Sequence, residues 1–229
     1  GEIQQHLQRA VQRLNSPPLS DIEFVLSDIH FHQQRRFTEY SGDVSGRMLG
    51  AWNSVIPLMN QEIPFLDKLR NNIPAWQKSD GHFGADQDLE HQVSQERDMP
   101  ILWGNGRLLL ALAEYCRDHQ DPDLLQTAKK LGDYIISTRQ YFGKEENFTQ
   151  VGGSYSSGFT TCYPSMIDGL VALGEVAEET KYWDEARYIA RVANYGQESS
   201  EPGWLQVYVG DAAQPPVALP AIASRESIE

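Results

Sequence analysis

The chain has 229 residues, room for one large domain or two small ones, with 40% hydrophobic and 10% aromatic residues as in ordinary globular proteins. Its 19 basic and 32 acidic residues leave a formal charge of -13, and the basic residues nowhere cluster. Such a surface repels phosphate backbones and argues against a nucleic-acid partner. No apolar run approaches the roughly 20 residues of a membrane-spanning helix.

No secretory leader is legible at Gly1-Glu2-Ile3-Gln4. Location stays open, with a periplasmic or extracellular setting favoured over the cytoplasm. The sequon Asn147-Phe148-Thr149 counts only in a secretory pathway. The two cysteines, Cys116 and Cys162, form neither a metal-binding spacing nor a disulfide framework.

Residues 2–14 read as an amphipathic helix with Ile3, Leu7, Ala10, Val11 and Leu14 on one face, stopped by Pro17-Pro18. Residues 21–36 read as a second helix or an irregular segment; HFHQQRR has no clean period, and His30-x-His32 suits a strand better than this helical context. The remaining histidines show no metal spacing with nearby acids. Residues 1–36 are therefore taken as an N-terminal helical segment.

From 37 to 196 the chain reads as tandem helical hairpins, legible in 42–76, 104–136 and 165–195. Gly46-Arg47 recurs as Gly106-Arg107, and Ala111-Leu112 as Ala172-Leu173. A fixed period means one unit that stacks on its neighbours to bury its apolar face. In each pair the first helix is smooth and apolar (108–116, 166–176), and the second carries Lys and Arg on an outward face. Asp121-Pro122-Asp123 is a helix start. This predicts an inner and an outer layer. The inner-to-outer turns are short; the outer-to-inner connections 78–102 and 143–163 are long, rich in Gly and aromatics, and gather at one end of the stack. Residues 197–229, with Pro202, Pro215, Pro216 and Pro220, read as an irregular C-terminal segment.

Chemistry-bearing residues concentrate at that end. Ser79-Asp80-Gly81-His82-Phe83-Gly84 joins a carboxylate, an imidazole and two glycines, though Asp-Gly is also a common turn pair. Asp43 opens the first inner helix as a site residue or an N-cap, with Arg47 one turn on. Trp103, Asn105 and Arg107 open the second: a stacking surface with hydrogen-bond donors, or a cap and a partner for a buried acid. Cys162, Tyr163 and Asp168 open the third, Asp168 on an otherwise apolar helix and so either paired or aimed at a cavity. Cys116 reads as a small core residue.

These stretches, YSGDVSGRMLGAW, SDGHFG, LWGNGRLLLALAEYCRDHQDPDLLQTAKKLGDYI and CYPSMIDGLVALGEVAEETKYWDEARYIA, resemble the N-terminal half of the catalytic toroid of beta-L-arabinofuranosidase-like glycoside hydrolases, family 127 and relatives. The resemblance covers roughly 37–196. It implies an all-α (alpha/alpha)6 barrel, of which about three hairpins are present, acting on plant or microbial glycans. It also implies a glutamate–cysteine zinc centre in a second half that the sequence does not contain, so no cofactor or metal site is expected within this chain. Pro100 and Pro164 stand where better-known members place sugar-contacting histidines. The W-x-x-G-N-G pattern also resembles unsaturated glucuronyl hydrolases.

The expectation is a glycoside hydrolase with Asp80 and Asp168 as acid/base residues, and Asp43, Arg47, His82, Trp103, Asn105, Arg107, Cys162 and Tyr163 contacting carbohydrate. A further chain segment or subunit would complete the barrel. The alternatives are a non-catalytic glycan-binding or scaffold half-toroid, and a sugar epimerase or unsaturated glucuronyl hydrolase on the same fold.

Overall fold

A computed structural model describes residues 1–59, 63–86, 95–142, 150–151, 154–155 and 158–195, with the backbone alone at 59, 95–99, 142, 150–151, 154–155, 158–164 and 191–195. Within these residues the fold is all-α. The helices are α1 (Glu2–Leu14), α2 (Ile22–His30), α3 (Asp43–Met59), α4 (Pro64–Asn72), α5 (Gln95–His119), α6 (Pro122–Phe142), α7 (Gly158–Ala177) and α8 (Thr180–Tyr195). A 3-10 turn, Ile73–Trp76, follows α4, and a two-stranded antiparallel ladder pairs Gln150–Val151 with Ser154–Tyr155.

The amphipathic pattern of 2–14 folds as α1, but its first turn does not dock: Val11 is buried and Leu7 and Leu14 pack on the core, whereas Ile3 is 87% exposed. Residues 22–30 form α2 because Asp21 accepts the Glu23 N–H at the N-terminus (3.0 Å) and Phe31 ends the helix in a left-handed conformation, φ 59°. The irregular reading of this stretch therefore gives way to a capped helix over its first part. α2 packs on α3 and α4.

Three hairpins follow, α3/α4, α5/α6 and α7/α8, each with its two helices in contact. The first helices touch in succession, α3 on α5 and α5 on α7, and α6 packs against both α7 and α8. Close approach explains the small residues of this row. A Cβ on Gly46 would lie 2.8 Å from Leu108 Cα, and one on Gly106 would lie 2.8 Å from the Met166 backbone nitrogen. Backbones at that separation admit no side chain. The apolar face expected of α6, Leu124, Leu125, Ala128, Leu131 and Ile135, is buried except at Leu125, which is half-buried. Asp121 caps this helix by accepting the Asp123 and Leu124 N–H groups (3.2 and 3.0 Å).

Two expected boundaries move. α5 begins at Gln95 and α7 at Gly158, so Trp103–Arg107 lie two turns inside a helix, and Cys162-Tyr163 also fall within one rather than opening it. Gly104 and Gly106 lie within α5 against neighbouring backbone. Residues 143–149, which include the sequon, and 197–229 lie outside the described residues.

Candidate functional site

Trp103 on α5 faces the first turns of α3. Its indole Nε1–H donates to Asp43 Oδ1 (2.9 Å), and Arg47 Nε reaches both Asp43 oxygens at 3.0 Å. The Arg107 guanidinium lies 5.7 Å from the indole centroid, within cation–π range. Asp43 is buried, Trp103 and Arg107 are half-buried, and Arg47 is exposed. The two helices thus hold one flat aromatic ring in place, with Arg107 over it and Arg47 on the carboxylate that accepts its N–H. Arg107 Nε is shielded from solvent and makes no hydrogen bond.

Asp43 does not cap its own helix. Asp28, wholly buried on α2, supplies that cap: its Oδ2 accepts the N–H groups of Val44 (2.7 Å) and Ser45 (3.1 Å). Burial pushes the Asp28 carboxyl up to about 6, against the opposing pull of Arg35, 3.4 Å away. Arg35 in turn donates to the carbonyls of Phe24 (2.9 Å) and Val25 (3.2 Å). Asp28 and Arg35 carried no motif; only the fold brings an acid and a base of different segments together beneath the site.

Asn105 is wholly buried and touches two loops at once. Its Oδ1 accepts the Phe83 N–H (2.9 Å), while Nδ2 lies within hydrogen-bond distance of the carbonyls of Ser41 (3.2 Å), Phe83 (3.0 Å) and Ile101 (2.9 Å). The expected sugar donor is instead a clamp between residues 41 and 83.

The SDGHFG loop is pinned by that clamp and docked on α6. Gly81, at φ +104°, sits against the Lys130 carbonyl with no space for a Cβ. Gln77 Nε2 donates to the carbonyls of Gly81 and Thr127, both at 2.9 Å. His82 is buried beside the Tyr134 ring, with Nδ1 2.6 Å from Asp80 Oδ1 and Nε2 2.9 Å from the Ala85 carbonyl. Both ring nitrogens are engaged within the loop, so the imidazole braces the turn and does not present itself to a ligand. Asp80 also accepts the His82 N–H (3.2 Å), the local closure expected of an Asp-Gly turn; its side chain is 54% exposed.

Asp168 is exposed, neither buried among the apolar residues of α7 nor held by them. Counting back by the repeat, it occupies the register of Arg107 on α5 and Arg47 on α3. The structure therefore groups Asp43, Arg47, Trp103 and Arg107 and assigns Asn105 and His82 to internal bracing, while the repeat count alone puts Asp168 at the corresponding position of α7. The side chains of Cys162 and Tyr163 lie outside the described residues. Cys116 is buried, and burial pushes its thiol up to about 12.

No family model, no curated protein and no solved structure matches the chain.

Proposed function

We propose that this chain is a carbohydrate-processing module built from tandem helical hairpins of the (alpha/alpha)-toroid kind, and that its reaction is glycoside hydrolysis. The observation that carries the proposal is the Trp103 cluster. An indole held in place by Asp43, with Arg107 over one face and Arg47 on the same carboxylate, leaves its other face for a sugar ring and brings donors for hydroxyl groups. The row α3–α5–α7 with flanking outer helices supports the toroid reading. So does an apolar groove of about 490 Å³ on the α7/α8 hairpin, lined by Ile167, Val171, Trp183 and Ala186 among others. That is the surface on which a further hairpin of such a row stacks.

In this reading Asp168 is the proton carrier nearest in register to the stacked sugar. It gives its proton to the glycosidic oxygen as the bond to the anomeric carbon breaks, and a carboxylate then draws a proton from the attacking water. Asp80 is the second acid/base residue, reached from the α6 side of the SDGHFG loop. Asp43 orients the indole and transfers no proton, because Arg47 and Trp103 occupy its oxygens. Tryptophan fluorescence titrated with an oligosaccharide panel should respond in the parent chain and lose its response in Trp103→Ala. Hydrolysis of the same panel should fall in Asp168→Asn and in Asp80→Asn. Unchanged hydrolysis in both variants would remove these residues from the chemistry.

A non-catalytic glycan-binding role is the second reading. The engagement of Asp80 with His82 favours it, since that bond takes up one of the two expected acid/base carboxylates. Sugar-dependent fluorescence without turnover of any panel member decides for it.

A further inference from the structure

Glu23, His30 and His32 carried no recognisable spacing, yet the fold collects them. Glu23 and His30 lie seven residues apart on α2, two turns along one helix face. Phe31 then takes its left-handed conformation and turns the chain back, so that the His32 ring stacks on the His30 ring with centroids 4.3 Å apart. Trp76 closes the other side, 5.1 Å from the His30 ring and 4.7 Å from that of His32.

The three side chains each offer one donor atom, all within 4.8 Å of one another. His30 Nε2 is 3.5 Å from Glu23 Oε2, and His32 Nδ1 is 3.8 Å from the same oxygen. Ligands at roughly 2.0–2.1 Å around a tetrahedral ion stand about 3.4 Å apart, so the two pairs that share the Glu23 oxygen need a few tenths of an ångström of closure, and the His30–His32 pair, within 4.8 Å, at most about 1.4 Å. A second observation points the same way. The His30 side chain is wholly buried, and its Nε2 faces the cluster without a hydrogen bond. A buried polar atom left without a partner calls for an explanation. Glu23 and His32 remain 54% and 53% exposed, which leaves an entry path and room for a water as fourth ligand.

We propose that Glu23, His30 and His32 bind one divalent transition-metal ion of the Zn²⁺ class. Two imidazoles and a carboxylate suit Zn²⁺ rather than Mg²⁺ or Ca²⁺, which favour all-oxygen sites. Arg35, the nearby cation, is countered by Asp28 at 3.4 Å. One existing bond is exchanged. The His32 backbone N–H donates to His30 Nδ1 (3.0 Å), which places the ring hydrogen on Nε2. Ligation through Nε2 moves that hydrogen to Nδ1, so the His32 amide gives up this acceptor as the ion arrives. The bound ion ties the C-terminal end of α2 to the turn that follows it. This site stands independently of the carbohydrate reading.

Tag-free protein freed of metal by chelation would be equilibrated by dialysis against Zn²⁺ alone, and its thermal midpoint measured with and without the ion. One Zn²⁺ per chain and a raised midpoint are expected in the parent chain. His32→Ala and Glu23→Gln, both at half-exposed side chains, should keep the parental fold by circular dichroism. Each should weaken binding by more than about 100-fold, the upper range for loss of a merely supporting partner. Co²⁺ should give the intense visible bands of a low-coordinate site in the parent chain and lose them in both variants. Equal Zn²⁺ uptake by the parent and both variants, or no uptake by the parent, would overturn the proposal.

Discussion

Replacing Asn105 with Ala should loosen the site from beneath without touching its surface. The carboxamide has one oxygen and two N–H hydrogens, and it serves the Phe83 N–H together with three carbonyls, so one hydrogen is shared. Truncation to Ala leaves Ile101 its ordinary helical partner, but strands the Phe83 N–H and the Ser41 and Phe83 carbonyls in a buried setting. Each stranded group costs about 1–3 kcal/mol, and a water entering the vacated space recovers part of that. The expected loss is about 4 kcal/mol, a large share of the roughly 5–15 kcal/mol that holds a domain together. For a chain of this size the thermal midpoint should fall by about 10 °C. Urea unfolding followed by circular dichroism reads the loss, and amide exchange at Phe83 reads its location. Exchange there should accelerate more than at Leu109 or Leu112, which are buried elsewhere on α5. Asn105→Asp keeps the acceptor for Phe83 but turns an oxygen toward the carbonyls, and should be worse than Ala at neutral pH. A loss below about 1 kcal/mol, or unaltered Phe83 exchange, would refute the clamp.

Gly106→Val should cost about 2 kcal/mol or more in urea unfolding, because its Cβ would press on the Met166 backbone nitrogen at 2.8 Å and force α5 from α7. Asp28 gives the pH dependence a definite sign. Its folded value of about 6 lies above the unfolded 3.8, so the native state holds the extra proton between them. Its contribution is full below about pH 4 and is lost as pH rises through about 6, by an order of 3 kcal/mol. Unfolding free energies across pH 4–7 should show that slope in the parent chain and a flatter one in Asp28→Asn, and parallel curves would contradict it. In a Cys162→Ser background, Cys116 should ignore a thiol reagent at pH 8 until urea is added, since burial raises its thiol and blocks access.

The hairpin row was legible because burial of a repeated helix face imposes a period of its own. The period of Leu124, Leu125, Ala128, Leu131 and Ile135 marks one face of α6, and all but the half-buried Leu125 are buried. Asp121 announces its cap by type and position, since capping is local chemistry. The glycines misled for a physical reason. Gly104 and Gly106 read as the opening of a helix, yet they sit more than two turns inside α5, where neighbouring backbone leaves no space for a Cβ. A sequence records that a side chain is missing; it does not say whether conformation or a neighbour forbids one.

Asp80 and His82 show the same limit in the candidate site. Both types promise acid–base chemistry, yet placement spends the two imidazole nitrogens on the turn between α4 and α5 and one Asp80 oxygen on the imidazole. Local pattern determined the all-α class, the helix pairs and the charge that argues against nucleic acid, because periodicity and composition act within a few residues. Tertiary contact alone decided that Asp28 caps α3, that Asn105 joins residues 41 and 83, and that His32 folds back on His30 toward Glu23. Each depends on the direction in which a side chain leaves its backbone and on what another segment has brought within about 3–4 Å, the reach of a hydrogen bond or an ion pair.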